Sequence, residues 1–474
     1  MPGHDRGGRS QGPFIERWFL IREAIRGSDR DYTAGPVGSA LILLSVPMVL
    51  EMAMESLFAV VDVFFVARVG ADAVATVGVT ESMLTIVYTV AMGLGIGATA
   101  VVARRMGEKD DEGAAQAAAQ AIALGLLISI AVGVFGYLNA ERLLRVMGAT
   151  PAMIESSLGY AQVMFAGNAT VTLLFLNNAI FRGAGDPVIA MRVLGIGNAI
   201  NIVMDPVLIF GLGPFPELGV TGAAVATNTG RGIAVVIQFW MLWSGKSRIH
   251  ITRRHLELVP AVMWNVCRLS GVGFLQILID TSSYIGLVRV IATFGSEALA
   301  GYTIGIRVII FAMMPAWGLG NAAATMVGQA LGAGKPERAE EAVWTAAKYN
   351  AWVLGVVGAL FVAFAPQIVA IFTADAAVAP NAIACLRIVS GGFVFFAYGL
   401  VLTQAFNGAG DTWTPTWINL GSFWCLQIPL AWLLAIQFDM GPNGVYIAMT
   451  VAFSTLAIVS GLIFRRGRWK TQKV

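Results

Sequence analysis

Long apolar runs separated by short polar stretches dominate this chain, and each run is long enough to cross a bilayer. Twelve can be read, at 39–67, 73–103, 114–139, 154–181, 188–212, 219–244, 262–292, 298–328, 342–371, 383–406, 412–437 and 442–464. The pattern predicts an all-α integral membrane protein with twelve transmembrane helices. Composition agrees: 57% of residues are hydrophobic and only 12% charged, against about 25% charged in soluble domains. Residues 1–13 are Gly/Arg-rich, and disorder is expected there. Residues 13–27 read as a short amphipathic helix at the cytoplasmic interface, with Phe14, Trp18, Ile21 and Ile25 towards one side. The first 30 residues lack an apolar core, so no signal peptide is expected.

Charge orients the chain. The alternate loops holding Arg104, Arg105, Lys109, Arg182, Lys246, Arg248, Arg253, Arg254, Lys335 and Arg338 lie on the same side as both tails, and together that side carries 21 Lys/Arg. The other loops carry only Arg68, Arg142 and Arg145. By the positive-inside rule both termini are cytoplasmic, in a plasma (inner) membrane.

The chain also repeats. LSVPMVLE (44–51) aligns with LSGVGFLQ (269–276) at an offset of 225. The same offset pairs Gly70 with Gly295, Gly93 with Gly318, Gly107 with Gly332, and RGAGDP (182–187) with NGAGDT (407–412). The expected organisation is a tail (1–38), a first lobe of six helices (39–244), a cytoplasmic linker (245–261), a second lobe (262–464) and a basic tail (465–474). Six is even, so both six-helix bundles enter from one side. Their pseudo-two-fold axis then runs along the membrane normal, with a cavity between them.

Within the first span, Glu51, Glu55 and Asp62 fall at about 0°, 40° and 20° around a helix, with Pro47 on the same stripe. One acid at mid-membrane costs roughly 2.5–3.5 kcal/mol on insertion scales. The stripe must therefore face protein or water. Pro47, Glu51 and Pro206 are candidates for a kink or gate, although Glu51 would serve as well by bonding to loop backbone. The repeat sharpens the picture. Glu55 pairs with Asp280, but Asp62, Asn178, Asn198, Asn201, Asp205 and Thr227 meet Leu287, Thr403, Phe423, Leu426, Leu430 and Ala452. Asn198, Asn201 and Asp205 share one face of the fifth span, and Pro206 frees a carbonyl beside them. This oxygen-rich set suits hard cations or protons. The plain alternative is a buried structural pair, with amides that bridge helices. Glu55, Asp280, Asn198 and Met313 are candidate cavity residues, able to receive cationic or greasy cargo.

Other chemistry is poorly served. Cys267, Cys385 and Cys425 have no metal-ligand spacing, and the three histidines lie in polar segments. GAGD (183–186, 408–411) reads as a turn, and GLGIGA (93–98) as close helix packing. GAGKP (332–336) fails as a phosphate loop. No enzyme, cofactor or nucleic-acid partner is expected.

The combination P-x3-E, VDVFFVARVGADAVATVG (61–78), RGAGDP (182–187), N-x3-DP (201–206) and GVTGAAVATN (219–228) resembles the multidrug and toxic compound extrusion (MATE) transporters, over essentially the whole chain from about residue 39. The resemblance implies a cation-coupled antiporter that expels organic, often cationic, amphipathic compounds in exchange for H⁺ or Na⁺. The first lobe looks like the DinF-like prokaryotic branch. There the residues matching Asp62, Asn178, Asn201, Asp205 and Thr227 form the cation or proton site, with Asp62 and Asp205 as the ligands of any Na⁺. Asp280 matches the seventh-helix acid of the NorM-like branch, but no acid stands near Phe393–Phe396, which weakens a second-lobe sodium site. A monomer exchanging cargo by rocking of its lobes is the expected mechanism. The rival is a lipid-linked precursor flippase, for which Arg192, Arg231, Arg268, Arg307 and Arg387 would have to line the cavity. An uncoupled channel fits the doubled lobes less well.

Overall fold

A computed structural model describes residues 13–472 and Val474; the side chains of residues 13–17, 63, 67, 71–75 and 152 are outside the description. Residues 1–12, most of the segment expected to be disordered, also lie outside the described residues, as does Lys473. Helix α1 (Pro13–Arg26) leads through a short strap into α2 (Val37–Ala67), α3 (Ala71–Gly107), α4 (Asp111–Val146), α5 (Pro151–Ala166), α6 (Asn168–Ala184), α7 (Pro187–Phe210) and α8 (Val220–Trp243). The second half contains α9 (Pro260–Ile291), α10 (Ser296–Gly332), α11 (Pro336–Phe372), α12 (Ala379–Ser390), α13 (Phe393–Ala409), α14 (Trp413–Asn419), α15 (Ile428–Trp432) and α16 (Pro442–Arg465).

Local chemistry explains many of the ends. Asp110 accepts from the Gly113 amide to cap α4, and Thr150 caps α5 ahead of Pro151. On α1, Trp18 and Ile25 are exposed, while Arg192 donates to the carbonyls of Ile25 and Arg26. The linker is stapled to α4. Gln116 and Gln120 donate to its carbonyls at His255 and Glu257, and His255 meets Glu112 at 2.6 Å.

Ten helical stretches among the described residues are long and apolar enough to span, and twelve if each bent pair counts as one. Those pairs correct the fourth and tenth spans, which the sequence reads as continuous. α5 and α6 meet at 43° across Gly167, and α12 and α13 at 57° across Gly391 and Gly392. The breaks lie 225 residues apart, so the duplicated unit includes the bend. The eleventh span departs from α-geometry too, with π-helical turns at Leu420–Gln427 and Leu433–Gln437.

The two lobes meet through symmetric helix crossings. A methyl added at Gly93 on α3 would come within 2.6 Å of the Phe274 nitrogen on α9. One added at Gly318 on α10 would come within 2.6 Å of the Val49 nitrogen on α2. Each residue of the second contact is its counterpart in the first shifted by 225, as a pseudo-two-fold axis demands.

Candidate functional site

The acidic stripe of α2 faces protein, and a second polar stripe answers it. Thr227, Arg231 and Gln238 lie within about 40° of one another around α8. That stripe spans twelve residues, like Glu51–Asp62, and the two run antiparallel. Three levels of polar contact result.

At the first level the Glu51 side chain is 1% exposed. Its Oε1 accepts from Arg182 Nη1 at 2.6 Å and from Asn178 Nδ2 at 2.9 Å, two residues one turn apart on α6. Gln238 donates to Asn178 Oδ1 at 2.7 Å, and Asn177 donates to Gln238 at 3.1 Å. At the second level Arg231 donates to Glu55 at 3.2 Å and to the Tyr88 hydroxyl at 3.3 Å. Its guanidinium sits over the ring of Phe58 at 5.1 Å and of Phe175 at 5.9 Å. Burial would otherwise make either charge very costly.

The third level holds Asn201, Asp205 and Thr227, with Asp62 buried within electrostatic reach of Asp205, Glu81 and Arg231. Asn201 Nδ2 is shared between Asp205 Oδ1 at 3.3 Å and Thr227 Oγ1 at 3.2 Å. Asp62 and Asp205 are both buried and within electrostatic reach of each other. Asp62 Oδ1, Asp205 Oδ2 and Asn201 Oδ1 are buried with no hydrogen-bond partner. Buried polar oxygens ordinarily find partners, so this cluster has unmet acceptor capacity for a proton or a cation.

A separate cavity of about 140 Å³ lies between the halves, walled by Met52, Phe175, Trp317 and Phe396 among others. Its charged lining residues are Arg182 and Asp280. Arg182 is neutralised by Glu51, whereas Asp280 has only the Asn419 amide, donating at 2.9 Å. At the basic end the halves are sealed. Thr325 donates to the Arg182 carbonyl, Gln329 to that of Gly183, and Arg104 to those of Ala409 and Gln472. Across this seal lies the strap, whose carbonyls accept from Arg248, Lys335 and Arg338.

Several residues stand elsewhere than the sequence suggests. Asn178 belongs to the Glu51 level, away from Asn201 and Thr227, because α6 presents it one turn from Arg182. Glu55 is off the cavity wall, held by Arg231. Asn198 donates to the Met54 carbonyl at 3.2 Å, and Met313 is buried in the second-half core. Arg182, read as a loop charge, lines the cavity. α2 runs unbroken through Pro47 and α7 through Pro206. Arg231 was the missed signal. A cation in the middle of a span predicts an acid opposite it, and Glu55 was available.

A family model described as MatE matches residues 47–207 and again 274–433. A probable multidrug resistance protein NorM of Thermotoga maritima is 26% identical over 443 residues, covering 92% of this chain and 93% of its own. An FAD transporter of Shewanella oneidensis is 22% identical over 91% of this chain and 95% of its own. A solved structure described as the outward-facing conformation of a multidrug resistance MATE family transporter superposes with a TM-score of 0.87 at 27% identity, covering 93% of this chain and 98% of that one.

Proposed function

This chain belongs to the MatE family of multidrug efflux transporters, and from that premise we propose that it is a cation-coupled antiporter working by alternating access. The carrying observation is the Asp62–Asp205 pair, with unmet oxygens on Asp62, Asn201 and Asp205. The set is confined to the first lobe, since positions 287, 426 and 430 are all leucine. In the proposed cycle H⁺ or Na⁺ enters this cluster and neutralises it. A ligand shifts a conformational equilibrium only through its different affinity for the two states. The bare carboxylates supply that difference, because they favour the state in which they can be charged or matched. Neutralisation lets the halves part at the basic end, and the cation then leaves on that side. Its excess of Lys and Arg supports reading that end as the cytoplasmic face of a plasma (inner) membrane, with both termini on the cytoplasmic side.

Cargo follows from the cavity wall. Apolar, methionine and aromatic surface around one uncompensated acid suits an organic, amphipathic cation. A cavity of about 140 Å³ is smaller than a drug-sized ligand needs, so the lobes must move to admit one. A flippase for lipid-linked pyrophosphates is the second reading, and it fares worse. Arg192 binds the end of α1, Arg231 binds Glu55, Arg268 reaches Asn265 and Arg387 reaches the Val362 carbonyl. Neither these four nor Arg307 lines the cavity. A monomer suffices for the whole cycle.

The test is uptake of a fluorescent organic cation by proteoliposomes under separately imposed proton and sodium gradients. Transport should follow one gradient and vanish in Asp62→Asn and Asp205→Asn protein that inserts normally. Wild-type coupling in either variant refutes the assignment.

A further inference from the structure

A second concavity lies outside the cargo path, between the eleventh and twelfth spans at the basic end. It encloses about 620 Å³ and shares no lining residue with the central cavity. Ile418, Val459 and Ile463 form an apolar trough, and Arg466 and Arg468 stand among its lining residues at the basic end. Both arginines are exposed, and their guanidinium groups have no hydrogen bond or ion pair among the described residues, whereas nearby Lys470 is paired with Glu340 at 2.6 Å. Asp411, the one acid on the wall among the described residues, is occupied: the Thr414 amide and hydroxyl donate to its two oxygens at 3.3 and 2.7 Å.

The rim is built rather than a loose tail. Gly467, in the left-handed region at φ 72°, reverses the chain after α16. Trp469 is thereby buried, its ring stacked on Phe464 at 4.5 Å and its Nε1 donating to the Phe464 carbonyl. That anchor places Arg468 beside Arg466. On the outer wall Trp417 is 63% exposed and stacks on Trp413, as indoles do at the membrane–water boundary. Lower down, Gly421 lies in the π-helical stretch of the eleventh span, and a methyl added there would meet nothing within 4 Å. The trough is therefore open where an acyl chain would run.

Unpaired cations just beyond the end of the twelfth span, an apolar trough along it and exposed indoles on the outer wall match one kind of molecule. We propose that this groove binds an anionic phospholipid, its phosphate held by Arg466 and Arg468 and an acyl chain lying along Ile418, Gly421, Val459 and Ile463. The occupied groove touches the helix that presents Asn419 to Asp280, so the lipid braces the cavity wall from behind.

Native mass spectrometry of the full-length protein tests this, with phosphatidylglycerol, phosphatidylcholine or inorganic phosphate added in detergent. Wild-type protein should retain phosphatidylglycerol over phosphatidylcholine. Arg466→Gln/Arg468→Gln should lose at least about tenfold of that retention. Gly421→Leu, whose Cβ would meet nothing within 4 Å and whose side chain enters the trough, should lose it as well, and it carries the test should the double variant fail to fold. Arg253→Gln/Arg254→Gln, elsewhere on the basic face, should retain it. Equal retention of the two lipids, retention unchanged in the groove variants, a loss as large in the Arg253/Arg254 control, or binding of inorganic phosphate in place of lipid would each overturn the proposal.

Discussion

Arg182 donates to Glu51 across 2.6 Å, and the two residues 225 positions further on, Asn407 and Gln276, are neutral amides on the wall of the same cavity. Duplication preserved the place and changed the charge. Removing one member of a buried ion pair leaves the other uncompensated and costs about 3–5 kcal/mol. Arg182→Ala should therefore lower thermal stability in detergent sharply. Glu51→Gln/Arg182→Asn, which copies the second half, should recover most of the loss. Wild-type stability in Arg182→Ala would show that the pair contributes nothing.

The seal at the basic end rests on close backbone approach. A methyl at Gly107 would stand 2.0 Å from the Gln329 carbonyl oxygen, and one at Gly332 2.1 Å from that of Arg104, the symmetric counterpart. Gly107→Ala should hold the seal ajar in folded protein. With Cys267, Cys385 and Cys425 replaced by Ser, a cysteine at position 407 should then react faster with an impermeant maleimide from the basic side. An unchanged rate would place the seal elsewhere.

Asp280 is the one uncompensated charge on the cavity wall among the described residues. Asp280→Asn should reduce transport efficiency for a cationic cargo by about tenfold, the size of one modest charge interaction. A neutral cargo of similar shape should be unaffected. Equal loss for both would mean that Asp280 positions Asn419 rather than reading charge.

The strap carries its own pH signature. The Thr33 hydroxyl and amide donate to Asp31 Oδ1 at 2.6 and 2.8 Å and hold its carboxyl below its ordinary value. A carboxyl lowered in the folded state contributes stability that is fully present above its unfolded value. That stability is lost as pH falls through the lower, folded one. Hydrogen exchange of amides 31–35, corrected for intrinsic rate, should thus stay flat between about pH 5 and 8 and rise only in stronger acid. Asp31→Asn should raise it at neutral pH.

What could be read from the residues was whatever is local or periodic. Apolar runs marked the spans, the 225-residue register marked the halves, and the spacing of Glu51, Glu55 and Asp62 put three acids on one stripe that had to face inward. The break at Gly167 was harder to see, because a bent span has nearly the hydropathy of a straight one.

Which partner each acid takes was decided in three dimensions. Glu51 found Arg182, Glu55 found Arg231, and Asp62 lies within electrostatic reach of Asp205, although all three sit on one face of one helix. Their partners lie more than a hundred residues away on α6, α8 and α7. Depth and rotation of the neighbouring helices choose between them, and both are set by packing such as Gly93 on Phe274, which no single-helix periodicity contains. Composition and spacing determined that negative charge is buried in the first half of this protein; assembly determined that two of those acids meet an arginine and the third does not.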